Sequence, residues 1–116
     1  MKLLIVLNDP PYGTERSYNG LRLAGNLVTK HEQADVDVFL MGDAVACAKS
    51  GQTTPNGYYN LERMLKPVFR RGRVLLCGSC MDARGLKETE IAEGAERSTL
   101  DELGELTVAA DKVIVF

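Results

Sequence analysis

No apolar run in this chain of 116 residues approaches the roughly 20 residues that a membrane-spanning helix needs. The opening run from Leu3 to Leu7 is continuous, but Asn8 ends it before it reaches the length of a signal-peptide core. We therefore expect a soluble, cytoplasmic protein that does not contact a membrane.

Neither sign of charge predominates. The chain has 14 basic and 16 acidic residues, for a net charge of −2, and its one dense basic stretch is residues 70–73. Proteins that bind duplex nucleic acid carry a basic patch that neutralises phosphates. The composition therefore argues against direct binding of nucleic acid.

Cysteine is scarce, and the three residues form an odd number. A secreted disulfide framework uses cysteines in pairs, and a chain of this size buries roughly 65% of its unfolded surface without cross-links. This usage is typical of a reducing cytosol. We expect one domain, residues 1–116, with free thiols.

The sequence contains one histidine, His31, which lies far from the cysteines along the chain. A zinc site needs four ligands, so His31 and a cysteine pair do not complete one without Cys47 or carboxylates. The sequence contains neither the P-loop motif G-x-x-x-x-G-K-[ST] nor, after the first strand, the dinucleotide-binding motif G-x-G-x-x-G. We expect no metal and no cofactor.

Apolar strand patterns alternate with helical patterns along the chain. Continuous apolar runs without polar alternation are typical of strands covered on both faces. Predicted strands cover residues 3–7, 35–41, 74–77, 95–98 and 112–116, and predicted helices cover residues 17–31, 58–69 and 100–110. The alternation predicts a three-layer α/β/α sandwich around a mainly parallel sheet of four or five strands.

Three local signals place the ends of the helices. Ser17 is expected to cap the first helix, and Pro67 is expected to lie near the end of the second helix or to kink it. Thr99 and Glu102 match a capping box and predict the start of the last helix. Between the first two helices, residues 50–57 have the composition of a loop.

Two turn-rich segments, residues 8–16 and 77–85, follow predicted strands. In parallel α/β sheets, ligands bind beyond the carboxyl ends of the strands. We therefore expect both segments to lie at one edge of the sheet and to contain the functional site.

Cys77 ends a predicted strand and is followed by Gly78, Ser79 and Cys80. Backbone N–H groups at a strand-to-helix turn favour the thiolate, which is the nucleophilic form. Cys77 is the candidate nucleophile, and Cys80 is close enough in sequence to resolve an oxidised or persulfidated Cys77 as a disulfide. The alternatives are a buried strand cysteine at Cys77 and a spectator thiol at Cys80.

Other candidates flank this pair. Tyr12, Gly13 and Thr14 form a turn ahead of a helix and are candidates to hold a charged sulfur, unless the turn is selected for its shape alone. Arg84 is the nearest cation, with pairing to Asp82 or Glu88 as the alternative. Cys47 lies among small apolar residues and is expected to fill the core.

These segments resemble the DsrE-like (YchN-like) family of small sulfur-transfer proteins over nearly the whole length. The resemblance is carried by residues 8–14 after the first strand, by Cys77 after a hydrophobic strand, by Arg84 and Gly85, and by the closing residues 110–116.

The resemblance implies a parallel α/β/α sandwich and a homo- or heteromeric trimer or hexamer with the active cysteine near subunit contacts. It makes Cys77 the persulfide carrier, with Gly78 and Ser79 beside it, and implies sulfur donor and acceptor proteins as partners. Cys80 is a departure from the sulfur-relay subunits, where a single cysteine suffices, and it favours a stand-alone redox or sulfide-handling role.

Three functions follow as hypotheses. The first is an intracellular sulfur carrier, possessing sulfurtransferase activity, that uses Cys77 with Cys80 as resolving thiol. The second is a thiol-disulfide oxidoreductase that uses Cys77 and Cys80 as a pair. The third is a non-catalytic oligomeric interaction or small-ligand-binding module whose thiols are incidental.

Overall fold

Five strands form one fully parallel sheet in the computed structural model, which describes residues 1–116. The strands are β1 (Lys2–Leu7), β2 (Asp35–Leu40), β3 (Val74–Cys77), β4 (Ala95–Ser98) and β5 (Lys112–Val115). Their order across the sheet is β4-β3-β2-β1-β5, and every neighbouring pair is parallel. The predicted α/β fold with a parallel sheet is confirmed, and the sheet has the larger of the two expected strand numbers.

Helices connect the strands and lie on both faces of the sheet. The helices are α1 (Arg16–Lys30), α2 (Leu61–Met64), α3 (Lys66–Arg71), α4 (Gly78–Ala83) and α5 (Leu100–Ala109), with 3-10 helices at Gly42–Ala48 and Glu88–Glu90. The chain moves in one direction from β1 to β4, so right-handed crossovers place these connections on one face. The connection to β5 runs back past β1 and places α5 on the other face, where it contacts β1.

The core lies along the three central strands. All four residues of β3 and all but the first residue of β1 are buried, which explains their continuous apolar sequence. The edge strand β5 is largely exposed, and α5 has no fully buried residue. The strand β5 is thus apolar in sequence although it is largely exposed in the single chain.

The helix predicted over residues 58–69 is instead two short helices, α2 and α3, separated at Leu65. Asn60 caps α2 by accepting a hydrogen bond from the backbone N–H of Arg63. Pro67 lies in the first turn of α3, so it does not lie near the end of a helix, and the interruption expected as the alternative occurs just before it, at Leu65. Proline is tolerated there because the N–H groups of a first turn have no partner within the helix.

Ser17 does not cap α1, which begins at Arg16. Its side chain is buried, and its hydroxyl donates to the carbonyl oxygen of Asp9 at 2.6 Å, which ties the loop after β1 to the helix. The predicted cap at Thr99 is confirmed, since its hydroxyl accepts from the backbone N–H of Glu102 at 3.1 Å.

The parallel sheet brings the two predicted site segments to one edge. The loops after β1 and β3 both leave carboxyl ends, and the segment that follows β2 lies between them because β2 separates those strands. None of the helices has both the length and the apolar composition to span a bilayer.

Candidate functional site

Cys77 is the last residue of β3 and the N-cap of α4. Its Sγ accepts a hydrogen bond from the backbone N–H of Cys80 at 3.4 Å, in the position that a serine or aspartate oxygen occupies in an ordinary cap. The Ser79 hydroxyl oxygen lies 3.3 Å from the same sulfur. The turn from strand to helix thus directs two donors at Cys77.

These contacts favour the thiolate of Cys77. Its residue is only 5% exposed, and burial alone opposes ionisation. Hydrogen bonds from the side chains of Cys80 and Ser79, and from their backbone N–H groups, outweigh burial and lower the pKa of Cys77 below its ordinary value. The arrangement therefore favours the charged form of Cys77, the form in which a thiol is nucleophilic.

Cys80 has the opposite character. It is half-buried, and burial together with its contact to Cys77 raises its pKa, although the backbone N–H of Gly42 and the charge of Arg84 act against the rise. Both cysteines are free thiols. The contacts therefore place the pKa of Cys77 below that of Cys80.

Arg84 lies on the Cys80 side of the pair. Its Nε donates to Asp43 Oδ1 at 2.8 Å, and one terminal nitrogen donates to the carbonyl oxygen of Cys80 at 3.1 Å. Its acidic partner is thus Asp43, which follows β2, and neither Asp82 nor Glu88. This contact places the predicted cation beside the thiols.

A second guanidinium, that of Arg97 at the end of β4, lies on the other side. It makes a bidentate ion pair with Asp82, with distances of 2.8 and 2.9 Å, and its Nε lies 3.9 Å from Glu88. Asp82 and Glu88 are the two carboxylates that the sequence analysis considered as partners of Arg84. Arg97 was not among the predicted site residues.

The loop that contains Tyr12, Gly13 and Thr14 directs its hydrogen bonds elsewhere. The Tyr12 hydroxyl donates to Gln52 and accepts from the backbone N–H of Leu61 at 3.2 Å. The Thr14 hydroxyl donates to Asp9 at 3.0 Å, and Gly13 takes a positive φ of 96° that suits the turn. None of these contacts reaches Cys77 or Cys80, and a role in binding substrate stays a prediction.

The third thiol, Cys47, is fully buried in the 3-10 helix after β2. Burial raises its pKa to about 12, even though the Ser17 side chain and a backbone group act in the opposite direction. A thiol held neutral to this degree is inert as a nucleophile. Cys47 therefore packs in the core, as expected from its apolar neighbours in the sequence.

No group of three or more histidine, cysteine or carboxylate side chains is arranged to hold a metal ion, and the single chain encloses no pocket. The chemistry that this site offers is that of two adjacent thiols with different acidity, flanked by two guanidinium groups.

The sequence model of the DsrE/DsrF-like protein family matches residues 1–116. The chain belongs to this family. The resemblance inferred from residues 8–14, Cys77 and the closing strand is thereby confirmed.

Two relatives match almost end to end. Protein YchN of Escherichia coli is 40% identical over 116 residues, which cover 99% of this chain and 98% of that protein. Uncharacterized protein MJ0989 of Methanocaldococcus jannaschii is 37% identical over 117 residues, with 100% of each chain covered.

Solved structures agree with the architecture. The crystal structure of YchN from E. coli has a TM-score of 0.92 to this chain at 40% identity, covering 99% of this chain and 98% of that chain. MTH1491 of Methanobacterium thermoautotrophicum, a protein of unknown function, has a TM-score of 0.77 at 13% identity, covering 99% and 97%. The second match shows a shared fold only.

The sequence of this DsrE/DsrF-like chain did not lead us to place Gly42, Asp43 or Arg97 beside the two thiols. Asp82 was considered only as a partner of Arg84. Gly42 and Asp43 directly follow β2, so the rule that sites lie at the carboxyl ends of strands was the signal that pointed to them. Arg97 lies next to the end of β4 and is subject to the same rule. Its pairing with Asp82 becomes visible only when β4 is aligned with β3.

Proposed function

We propose that this protein is a sulfur carrier that accepts a sulfane sulfur atom as a persulfide on Cys77. The observation that carries the proposal is the inequality of the two thiols, with the pKa of Cys77 lowered and that of Cys80 raised. The DsrE/DsrF-like family is generally one of sulfur relay, which fits this chemistry.

Loading requires only the Cys77 thiolate and a donor persulfide. The thiolate attacks the outer sulfur of the donor R–S–SH, the donor S–S bond breaks, and its electron pair leaves with the donor thiolate. The product is Cys77–S–SH. The backbone N–H of Cys80 and the Ser79 hydroxyl are the groups positioned to stabilise the attacking sulfur.

Unloading has two routes. An acceptor thiolate takes the outer sulfur and regenerates the Cys77 thiolate. Alternatively, Cys80 loses its proton to a base, and its thiolate attacks the inner sulfur of Cys77; the S–S bond of the persulfide breaks, the Cys77–Cys80 disulfide forms and HS⁻ leaves. The raised pKa of Cys80 keeps the second route slow until a base or a rise in pH ionises it.

Intact-mass analysis tests the carrier. The reduced protein is incubated with polysulfide, or with a cysteine desulfurase and cysteine, and then weighed. We expect a gain of one sulfur atom that is lost in Cys77→Ser, retained in Cys47→Ala and longer-lived in Cys80→Ser. Full loading of Cys77→Ser would contradict the proposal.

A thiol-disulfide oxidoreductase is the second candidate, favoured by the 3.4 Å contact between the Cys80 N–H and the Cys77 sulfur, which brings the two residues together at one helix start. The same mass experiment separates the candidates. Oxidation that yields only an internal disulfide, with a loss of two hydrogens and no sulfur adduct, would favour the oxidoreductase.

We also infer a homo-oligomer, trimeric or hexameric as in the family, that buries the surface of α5 and β5. Val108 on α5 is 89% exposed and Val115 on β5 is 63% exposed, and Leu100 and Val113 add apolar area to the same two elements. Exposed apolar patches on an edge strand and its helix are typical of protein interfaces. An interaction module with incidental thiols, the third hypothesis, would show this assembly without sulfur loading.

A further inference from the structure

Arg97 lies against the residue that follows Cys77. A Cβ atom built at Gly78 would be 2.8 Å from Arg97 Nε and 2.9 Å from its Cζ, closer than side chains approach each other. The guanidinium thus fills the space that any larger side chain at position 78 would take. Glycine at this position allows the cation to approach the backbone of the residue that follows the candidate nucleophile.

The register of the sheet brings Arg97 there. In the pairing of β3 with β4, Leu76 is opposite Arg97 and Cys77 is opposite Ser98. Arg97 therefore starts one residue short of the strand end and extends across Gly78 toward α4. Its two terminal nitrogens both bind Asp82 of α4, which fixes the plane of the guanidinium.

The charged groups around the two thiols fall into two ion pairs. Arg97 with Asp82, and with Glu88 nearby, lies on the Cys77 side, and Arg84 with Asp43 lies on the Cys80 side. Hydrogen bonding to Asp82 and, to a smaller degree, the negative charge of Cys77 raise the pKa of Arg97. The geometric link to the sulfur is the contact of the guanidinium with Gly78, the residue next to Cys77, and its bonds to Asp82 on the helix that Cys77 caps.

We propose that Arg97, from its place against Gly78, stabilises negative charge on the Cys77 sulfur and on the outer sulfur of its persulfide. The persulfide part of this inference rests on the proposed function, whereas the thiolate part does not. Attraction between a cation and a nearby thiolate favours the charged, nucleophilic form.

A purely structural ion pair between β4 and α4 is the competing explanation, and two substitutions separate it from the proposal. Arg97→Gln and Asp82→Asn both break the same ion pair. Loss of structure alone would affect Cys77 in the same direction in both variants. Electrostatic stabilisation predicts opposite changes in the reactivity of Cys77. Arg97→Gln removes the positive charge that favours the thiolate, whereas Asp82→Asn removes a negative charge that opposes it.

The measurement is the rate of Cys77 alkylation by iodoacetamide against pH, read by peptide mass spectrometry on the reduced, full-length protein. At pH 7 we expect Arg97→Gln to slow alkylation about 3- to 10-fold and to shift the midpoint to higher pH. We expect Asp82→Asn to react at least as fast as the unmodified sequence, and Arg97→Lys to recover most of the loss.

Arg73→Gln is the matched control. Arg73 also pairs with carboxylates on β4 and α5, at 2.9 and 3.1 Å, but it precedes β3 and so lies at the opposite end of that strand from Cys77. Its loss should leave the alkylation of Cys77 unchanged. Slowing by Arg73→Gln equal to that by Arg97→Gln would overturn the proposal, as would slowing by Asp82→Asn.

Sulfur loading is measured on the same variants. If Cys77 of the unmodified sequence accepts no sulfur while the alkylation rates differ as expected, the proposed function fails and the thiolate role of Arg97 stands. If all variants load sulfur and alkylate alike, the function stands and the role of Arg97 is refuted. If Arg97→Gln does not fold, the other two variants test the role of Arg97. That role is refuted if Asp82→Asn slows alkylation of Cys77, or if Arg97→Lys does not match the rate of the unmodified sequence within about threefold.

Discussion

The backbone N–H of Cys80 donates a hydrogen bond to the sulfur of Cys77 at 3.4 Å. This contact closes the first turn of α4 through a thiol, and it makes the two cysteines chemically different although only two residues separate them. Cys77 receives donors, whereas Cys80 supplies one. The order in which the thiols ionise follows from this contact.

The first prediction concerns that order. Alkylation of Cys77 should rise with pH around a midpoint below the ordinary thiol pKa near 8.5, and alkylation of Cys80 around a midpoint above it. Replacing Cys80 with alanine removes a side-chain donor, so the midpoint for Cys77 should move to higher pH. Peptide-resolved alkylation between pH 5 and pH 10 or so measures both midpoints.

Cys47→Ala is the control for that experiment, because Cys47 is buried and does not contact the pair through any hydrogen bond. It should leave both midpoints in place. A Cys80 that ionises before Cys77 would show that the assignment of nucleophile and resolving thiol is reversed.

The second prediction concerns Arg84→Gln. The guanidinium counteracts the rise in the pKa of Cys80, which burial and Cys77 cause, so its loss should raise that pKa further and slow alkylation of Cys80 at pH 8 about two- to fivefold. Stability should fall by less than about 1 kcal/mol, since the ion pair with Asp43 is exposed. Alkylation of Cys80 and a urea unfolding curve are the two measurements.

The third prediction uses two glycines. Gly78→Ala places a Cβ 2.9 Å from the carbonyl oxygen of Ser98 as well as against Arg97, and should destabilise the fold by about 1–3 kcal/mol. Gly104→Ala on α5 meets no atom within 4 Å and should stabilise by about 0.5–1 kcal/mol, because alanine favours the helix. Denaturant midpoints of both variants test the pair, and equal shifts would contradict the close packing at Gly78.

The fourth prediction concerns the neutral thiol of Cys47. Below about pH 8, the thiol is protonated in both the folded and the unfolded protein, so its ionisation does not reduce the free energy of unfolding. As the pH rises toward about 12, the unfolded thiol ionises and the folded one does not, which favours unfolding.

The cost of Cys47→Ala is the quantity to measure. At pH 7 it should be about 1–3 kcal/mol, as for other truncations in a core, and it should shrink by roughly 1 kcal/mol per pH unit above pH 9. Unfolding free energies of both proteins at pH 7, 9 and 10.5 or so give the trend. A cost that stays constant with pH would mean that Cys47 ionises freely in the fold.

The fifth prediction concerns assembly. Val108→Lys should reduce the oligomer seen by light scattering after size exclusion, because it places a charge within the apolar surface of α5 and β5. Tyr58→Lys is the matched control, since Tyr58 is 71% exposed and lies outside that surface, in the loop before α2. Equal mass for all three proteins would place the interface elsewhere.

Local patterns were sufficient to predict much of this fold and the position of Cys77, the candidate nucleophile, at the end of a strand. Continuous apolar runs predict the central strands because both faces of the sheet are covered, and Cys77 is predictable because it directly ends such a run. Thr99 and Glu102 are neighbours in sequence, so their cap could be read without the tertiary structure.

The errors have tertiary causes. Ser17 is a good capping residue by composition, but the carbonyl oxygen of Asp9 binds its hydroxyl instead. The ion pair of Arg97 with Asp82 depends on the alignment of β4 with β3, which no spacing within either segment records. Tyr12 is held by Gln52 and Leu61, distant in sequence, so its direction was not predictable from its own loop.

The cap formed by Cys77 has a consequence for the evolution of the family. Serine is a good N-cap residue, so a single nucleotide change from cysteine to serine would remove the reactive sulfur while leaving the first turn of α4 capped. Reactivity at this position can therefore be lost without loss of the fold. Relatives that carry serine there should therefore fold as this chain does.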